Sequence, residues 1–421
     1  MPLRLDTSSL VTELNSRSTT TDSSPTDSTC SASSSTSTII GTGTCGTIFA
    51  GGEDSPLVAI KVGKYKGGLE QDWSLLKKTN QAFQLCSSTL FLGTPHHGRI
   101  PCLPAHFEYF TQAEIVRLLP ASYHRDNYAY SMERIQSFSV KARRTLLDMF
   151  PSVQLKVEDT HDCLIRPYLG EKLPADGAGP SNLQNVPLYL DQMIVLGLDC
   201  RLMAQEMAVG LAILHWEAKI DAIDVEFVLG ASRTNLSAPW QSGNPHDIRN
   251  VSMWVLDFDK AATIELNESM VVKRLAGGMQ GNDNYFPKPD LDQDVWAKFK
   301  ESYLDASDHI LRQSPDNKAT ILSLPQQVLD EYCQMHKARQ FQVDEWDPFE
   351  RDGDDDEDEE DDEEGDAEND EEGDAENDEE GDAENDEEDD EEENESEEED
   401  DEEDESEEED DDEEEDEILL H

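Results

Sequence analysis

The stretch "GTGTCGTIFAGGEDSPLVAIKVGKYKGG", residues 41–68, joins a glycine-rich turn to a lysine on an apolar segment. Gly41, Gly43 and Gly46 form the pattern GxGxxG between two β-prone segments, and Lys61 ends the tetrapeptide VAIK on a third. Backbone N–H groups of such glycines can lie over phosphate oxygens, and a strand lysine can pair with the same phosphates. Because an ordinary glycine-rich hairpin shows the same pattern, the remaining parts of a site have to come from elsewhere in the chain.

The two ends of the chain differ in composition from its middle. Residues 7–38 are mostly Ser and Thr with few large apolar side chains, so we expect them to lack a stable fold. From residue 352 onward the chain carries 53 of its 97 acidic residues and no Lys or Arg. We therefore predict a disordered segment at 1–37, a folded domain at 38–345 and a disordered acidic tail at 346–421.

Hydrophobic patterning places most strands early in the domain and most helices late. Strands are predicted at 38–40, 47–50, 57–62, 163–169, 227–229 and 253–256, and helices at 69–85, 111–119, 131–149, 195–218, 292–311 and 326–341. This order predicts an α+β fold with two lobes. The N-lobe is small and β-rich, at about 38–165, and the C-lobe is mainly helical, at about 166–345.

A strand lysine that contacts phosphates needs a carboxylate to hold its side chain in place. Glu70 and Asp72 on the helix predicted after Lys61 are the two candidates. Asp72 has Leu75 and Leu76 three and four residues further on, which turns it inward if the leucines face the core, whereas Glu70 has the longer reach. The sequence leaves both open, and a solvated surface acid is the alternative for either.

Two later stretches carry acids next to short apolar segments. "LHWEAKIDAIDVEFVLG", residues 214–230, contains Asp221, Asp224 and Glu226. "WVLDFDKA", residues 254–261, contains Asp257 and Asp259 directly after an apolar run. Carboxylate oxygens in such positions are ligands that Mg²⁺ prefers, although each acid taken alone is equally typical of a strand end at the surface.

Taken in order, the glycine turn, VAIK and these two acidic stretches resemble the protein-kinase-like superfamily over about residues 38–312. "DFD" in place of "DFG" is similar to its aminoglycoside- and choline-kinase branch. The resemblance implies a two-lobed kinase-like fold that uses Mg-ATP. It places Gly41, Gly43 and Gly46 over the phosphates, with Lys61 paired to them and Asp72 beside Lys61.

The same resemblance assigns roles to the acids of the second half. It makes Asp221 the candidate base, Asp257 a magnesium ligand, and Glu226 and Asp259 further candidate ligands. Two departures weaken the case for catalysis. A Lys-Ile pair precedes Asp221 where the family has His, and Glu226 replaces a metal-binding Asn and adds negative charge. The register leaves Asp224 open as an alternative base.

These features favour a kinase-like, nucleotide-binding protein, a pseudokinase, with an acidic interaction tail. One alternative is an active Mg-dependent phosphotransferase that acts on a small-molecule hydroxyl, since no A-P-E motif follows the "DFD" stretch. The other alternative is a non-catalytic scaffold or a zinc-binding protein.

A second resemblance brings in the zinc alternative. "RPYLGE", "NVPLYLDQM" and "AIDVEFVLG" are together similar to a fungal family of uncharacterised proteins, whose domain of unknown function is labelled "zinc finger protein". The candidate ligands are Cys86, His96, His97, Cys102 and His106. Because structural zinc sites show tight paired spacing and these gaps are irregular, zinc is not favoured.

The acidic tail contains three copies of "GDAENDEE", beginning at Gly365, Gly373 and Gly381. A polyanion of this kind suits basic proteins as partners and repels nucleic acid. Ser396 and Ser406 each precede "EEED" and are candidates for an acid-directed kinase.

Compartment is indicated by the cysteines and by hydropathy. The seven cysteines are scattered and form no CxxC pair, which favours a reduced setting in the nucleus or cytoplasm. No apolar run reaches the length of a membrane span or a secretory h-region, so we expect neither membrane insertion nor secretion.

Overall fold

The structure is a computed structural model. It describes residues 8–15, 38–43, 45–52, 55–90, 100–150, 152–174, 179–232, 251–267, 269–282, 284–314 and 318–344. All of them belong to one unit, Met1–Arg351. The predicted acidic tail lies outside the described residues, as does most of the Ser/Thr-rich segment.

A short helix, α1 (Ser8–Asn15), precedes the predicted domain. The prediction that residues 1–37 lack a fold is therefore wrong for this part. Leu10 and Leu14 are fully buried, and the buried Glu13 carboxylate accepts a hydrogen bond of 2.7 Å from the Ser139 backbone N–H. Composition alone misses α1 because these few apolar residues find their partners more than a hundred positions away.

The N-terminal part of the domain contains a five-stranded antiparallel sheet. Its strands are β1 (Ile39–Thr42), β2 (Thr47–Ala50), β3 (Val58–Gly63), β4 (His106–Tyr109) and β5 (Tyr128–Glu133). They lie side by side in the order β1-β2-β3-β5-β4, which makes β3 the central strand. All residues of β3 after Val58 are buried, Lys61 included.

Helix α2 (Lys66–Leu90) begins two residues after β3. Its buried side chains recur at helical spacing, and they are Leu69, Asp72, Leu75, Leu76, Thr79, Ala82, Phe83 and Cys86. Asp72 is thus the one carboxylate on a stripe that otherwise faces the core. Helix α3 (Gln112–Leu118) follows β4, and α4 (Val140–Met149) follows β5.

A second sheet of four strands lies further along the chain. It consists of β6 (Ile165–Tyr168), β7 (Val186–Tyr189), β8 (Glu226–Ala231) and β9 (Val251–Leu256), in the order β7-β6-β8-β9. Strands β6 and β7 are parallel, and the other pairs are antiparallel. In the β8–β9 pair Glu226 lies opposite Leu256, so the start of β8 is next to the end of β9.

The remaining elements are helical. They are α5 (Leu190–Leu196), α6 (Cys200–Ala212) with a π-helical turn at Ile213–Glu217, α7 (Val271–Gly281), α8 (Gln293–Gln313), α9 (Ala319–Leu322) and α10 (Leu324–Asp344). One apolar core runs from α2 through the second sheet into these helices, and a smaller one lies under Phe49 and Ile60 of the first sheet. The predicted mixed α+β composition, with an N-terminal sheet and a helical C-terminal part, is confirmed.

The bounds of one predicted helix need correction. The helix predicted at 131–149 is shorter, because residues up to Glu133 pair with β3 as strand β5 and only Val140–Met149 is helical. The first sheet therefore ends at Glu133, and the next strand, β6, belongs to the second sheet. The division into an N-lobe at about 38–165 and a C-lobe at about 166–345 stays a prediction.

Candidate functional site

Lys61 lies at the centre of the first sheet with a buried side chain. On β3 it is opposite Ile48 of β2 on one side and Tyr130 of β5 on the other. Its ammonium group donates to Asp72 Oδ2 at 2.5 Å and to Asp257 Oδ1 at 2.6 Å, and lies 3.5 Å from Asp259 Oδ2. The structure thereby brings together a strand lysine, a helix carboxylate and the two acids of the "DFD" stretch.

Of the two carboxylates that the sequence left open, Asp72 is the partner of Lys61. Asp72 Oδ1 accepts from the Phe258 backbone N–H at 2.9 Å, and Oδ2 accepts from the Tyr130 hydroxyl at 2.9 Å. Glu70 lies on the outer face of α2, where it is 3.6 Å from Lys66. Asp72 therefore joins α2, the first sheet and the "DFD" stretch at one point.

The charges of this cluster affect one another strongly. Burial lowers the pKa of Lys61, but the nearby carboxylates, Asp72 first, raise it more, and the result lies well above the ordinary lysine value. Burial raises the pKa of Asp259, and Asp257 adds to the rise while Lys61 opposes it. Lys61 thus stays protonated and neutralises acids that are largely out of water.

Asp257 is the member of the cluster that faces solvent. Its side chain is 30% exposed, against 1% for Asp72 and 8% for Asp259. Its backbone has a φ of 67°, a conformation that non-glycine residues adopt rarely and mostly at functional or tightly held positions. An exposed carboxylate oxygen directly after β9 is available to a ligand, whereas Asp72 is not.

The glycine hairpin between β1 and β2 reaches the same cluster. Gly43 N–H donates to the Gly46 carbonyl at 2.8 Å, and a Cβ on Gly46 would lie 2.5 Å from the Val62 carbonyl oxygen. Burial raises the pKa of the Cys45 thiol, and a hydrogen bond to Asp259 raises it further. Cys45, at the tip of the hairpin, is therefore in contact with Asp259, and the neighbouring Thr44 lies outside the described residues.

Asp221, the candidate base, is only 1% exposed. Its Oδ1 accepts from the backbone N–H groups of Ala262 at 2.8 Å and Ile223 at 3.3 Å, and its Oδ2 accepts from Arg274 Nε at 3.0 Å. The Asp221 carboxylate is therefore buried and bound to three donors, which hold the loop in place.

Asp224 differs from Asp221 in its exposure and in the donors that its carboxylate binds. Its side chain is 48% exposed and forms an ion pair of 2.7 Å with Lys260, the residue after the "DFD" stretch. Its backbone also has a positive φ, 61°. Of the two aspartates that the register left open, Asp224 is the one whose carboxylate is exposed to solvent.

Glu226 is bound by an arginine that the sequence did not point to. Arg166 of β6 donates to Glu226 Oε1. Burial raises the pKa of Glu226, Arg166 opposes this, and both Asp257 and Asp224 add to the rise. Glu226 is thus close to Asp257 and Asp224 but has its charge balanced from the neighbouring strand.

Sequence patterns did not identify three residues of this site, namely Tyr130, Arg166 and Arg274. No spacing rule marks Tyr130 or Arg274, because their contacts with Asp72 and Asp221 cross between elements distant in sequence. Arg166 lies within "RPYLGE", which contributed only to a family resemblance.

The donors present at this site can be compared with the requirements of Mg²⁺. Among the described residues no group of three or more His, Cys, Asp or Glu side chains is arranged to hold a metal ion. Mg²⁺ in nucleotide sites needs only one or two protein carboxylates, since water and phosphate oxygens complete its shell. Asp257, with its partly exposed carboxylate, meets that requirement.

The zinc candidates are only partly described. Cys86 is buried on α2, Cys102 lies beside Trp254 of β9, and the His106 ring contacts Trp73 edge-on. His96 and His97 lie outside the described residues.

Comparisons with known proteins give limited matches. The model of a family of unknown function, DUF3669, described as "Zinc finger protein", matches residues 253–315, well under half of the chain. Those residues contain no cysteine and only one histidine, so they cannot form a Cys/His zinc site alone. They comprise most of β9, the "DFD" stretch, α7 and α8.

Among solved structures, one titled as the crystal structure of a "kinase domain" aligns at 10% identity with a TM-score of 0.23. The alignment covers 60% of this chain and 63% of the other, which is less than two thirds of its length. A search of curated proteins finds no match.

Within the described part of the chain, none of the helices combines the length and the apolarity that crossing a membrane requires.

Proposed function

We propose that the cluster around Lys61 binds a nucleotide with Mg²⁺, and that the chain is a kinase-like, two-lobed nucleotide-binding protein of the pseudokinase type. The observation that supports this most strongly is the double contact of Lys61, with Asp72 at 2.5 Å and with Asp257 at 2.6 Å. A strand lysine held by a helix carboxylate next to a metal-binding aspartate is the arrangement that phosphoryl transfer uses.

Each part has a proposed task in nucleotide binding. Lys61 would pair with the phosphates while Asp72 keeps it in place, and the hairpin containing Gly43 and Gly46 would direct backbone N–H groups at them. Asp257 would hold the magnesium ion, which neutralises phosphate charge when bound.

Isothermal titration with ATP and ADP, with and without Mg²⁺, tests the proposal. Asp257→Asn should weaken Mg²⁺-dependent binding, since it removes the charge of the exposed ligand, while Asp308→Asn, in an exposed pair with Arg312, should not. In thermal unfolding, nucleotide at a hundred times its dissociation constant should stabilise by about 2.7 kcal/mol. Equal affinity in wild type and Asp257→Asn, or no binding at all, would contradict it.

An active phosphotransferase acting on a small-molecule hydroxyl is the second candidate, and the exposure of Asp224 favours it. Asp224, not Asp221, is proposed to orient the acceptor hydroxyl, because only Asp224 is accessible. ATP consumption should be measured over a panel of small hydroxyl compounds. Asp224→Asn should abolish turnover at unchanged stability. Turnover of generic protein substrates, or full activity of Asp224→Asn, would argue against this assignment.

The acidic tail is proposed to recruit basic proteins, such as histone-like or ribosomal tails, and not nucleic acid. This rests on the 53 acidic residues from residue 352 onward. A position in the nucleus or cytoplasm is part of the same proposal, since such partners are found there.

A further inference from the structure

Arg166 and Glu226 form an ion pair at the edge of the proposed nucleotide site. Arg166 is on β6 and Glu226 begins β8, neighbouring strands of the second sheet. Glu226 lies opposite Leu256, the residue before Asp257. The pair is thus adjacent to the carboxylate to which magnesium binding is assigned.

Arg166 has hydrogen-bonding capacity beyond Glu226. A guanidinium has five N–H donors, and within the described part of the chain its buried Nε–H has no partner. The Tyr285 hydroxyl, which is close enough to influence the charge of Arg166, is likewise buried with no partner among described residues. The Arg166 side chain as a whole is 27% exposed, so solvent reaches part of it although Nε itself is buried.

The position of Glu226 indicates a role for the remaining N–H donors of Arg166. In protein kinases an Asn at this place in the loop binds a second magnesium ion. Here the residue is Glu226, and the Arg166 guanidinium is already bound to its carboxylate. The local charges are the carboxylates of Asp257, Asp259, Asp224 and Glu226 against the cations of Lys61, Lys260 and Arg166.

We infer that Arg166 replaces the second divalent cation: the nucleotide binds with a single Mg²⁺ at Asp257, and the Arg166 guanidinium contacts its phosphate oxygens while remaining bound to Glu226. This inference rests on the proposed function and specifies the metal content and a phosphate ligand of the same site. A planar guanidinium suits phosphate oxygens, and it stays charged at any physiological pH.

Manganese counting tests the inference without any activity measurement. Free Mn²⁺ is measured by electron paramagnetic resonance during titration of the protein with saturating ADP or a non-hydrolysable ATP analogue. The wild type should bind one Mn²⁺ per nucleotide. The double variant Arg166→Gln/Glu226→Asn, which removes the fixed cation and restores the amide of the kinase pattern, should bind two.

Nucleotide affinity supplies the second measurement. Arg166→Gln should weaken binding about tenfold or more, the equivalent of one charged hydrogen bond. Glu226→Asn alone should keep or increase affinity, because it removes a negative charge and leaves Arg166 in place. Arg134→Gln is the matched control, since Arg134 forms an ion pair of similar exposure with Asp162, and it should bind nucleotide like the wild type.

The outcomes separate the inference from the proposed function. Two Mn²⁺ per nucleotide in the wild type, or unchanged affinity in a folded Arg166→Gln variant, overturns the inference and leaves nucleotide binding standing. Absence of nucleotide binding in the wild type overturns both. If Arg166→Gln does not fold, two other measurements still test the inference. A wild-type count of two Mn²⁺ per nucleotide, or a loss of nucleotide affinity in Glu226→Asn, would overturn it.

Discussion

At the scale of single residues, Lys61 has a structural task that precedes any chemistry. It is the cation among Asp72, Asp257 and Asp259, two of which are nearly withdrawn from water. Charges buried in this way are stable only when paired. The same contacts that make Lys61 a candidate phosphate ligand therefore also hold β3, α2 and the "DFD" stretch together.

We predict that Lys61→Met destabilises the protein by about 3–5 kcal/mol, because it leaves Asp72 as a buried charge without its cation. Urea unfolding measures the effect. Lys66→Met is the matched control, since the Lys66–Glu70 pair is exposed and such pairs contribute about 0–1 kcal/mol. Similar losses in the two variants would show that Lys61 is not the buried counter-ion.

His215 is a second residue whose burial has a measurable consequence. It lies at 0% exposure in the π-helical turn, with Nδ1 2.8 Å from the Tyr303 hydroxyl. Burial lowers its pKa to about 3. The unfolded chain, with an ordinary histidine pKa of about 6.5, takes up the proton more readily than the folded chain does.

The stability that follows is present above about pH 6.5 and is lost as the pH falls from there towards the folded-state pKa. Between about pH 6.5 and 5, above the main titration of carboxylates, we predict a loss of up to about 1.4 kcal/mol per pH unit from His215. Urea midpoints at pH 7 and pH 5 measure it. His215→Asn, which does not titrate, should show a smaller pH dependence, and an equal dependence would contradict the assignment.

At the scale of elements, α7 fixes the loop that carries Asp221 and Asp224. Gly278 of α7 lies so close to this loop that a Cβ would be 2.4 Å from the Asp221 carbonyl oxygen. Asn282 donates to the carbonyls of Ala222 at 2.9 Å and Val225 at 3.2 Å. The loop contains three residues with positive φ, Lys219, Ala222 and Asp224, and these contacts supply the support that such a backbone needs.

We predict that Gly278→Ala destabilises the protein by about 1–3 kcal/mol, because the added methyl group has to displace backbone. The adjacent Gly277 is the control, since a Cβ there meets nothing within 4 Å. Gly277→Ala should leave stability unchanged or raise it by up to about 1 kcal/mol through helix propensity. Thermal unfolding of both variants gives the comparison, and equal effects would mean that α7 does not approach the loop as described.

At the scale of the whole molecule, charge is divided very unevenly along the chain. The formal net charge is −65, and residues 1–351 contain 44 acidic residues against all 32 Lys and Arg. A segment of like charges without apolar groups has nothing to fold around, which is why residues 352–417 are predicted to be disordered in isolation.

We predict that the full chain retains basic proteins in a pull-down and that a chain ending at residue 351 does not. Retention should fall steeply with added salt, because the screening length shortens from about 8 Å at 0.15 M to about 3 Å at 1 M. Phosphorylation of Ser396 and Ser406 should strengthen it by adding about −1.5 to −2 charge at each. Equal retention by the shortened chain would show that the tail is not the binding element. No retention by either at 0.15 M would leave it a solubilising segment.

Local patterns in the sequence were sufficient to predict many of the individual elements of this protein. They predicted the glycine hairpin, the strand with Lys61, the helix after it, the acids after β9 and the mixed α+β composition, because each depends on neighbours within a few residues. The sequence also determined how charge is divided between residues 1–351 and the acidic tail. Among the elements that local patterns did not find are α1, β4, β5, β7 and α7, whose stability comes from contacts with segments elsewhere in the chain.

Only the tertiary structure decided which acids are buried and which cations they pair with. Asp72 rather than Glu70 meets Lys61 because the rotation of α2 over the sheet places one inside and the other outside. Asp221 is buried because α7, some fifty residues later, supplies Arg274. The Arg166–Glu226 pair joins strands whose residues are 60 positions apart. Spacing along a chain specifies which side chains a local element presents, whereas burial and pairing depend on how elements pack, and that packing is set by contacts across the whole core.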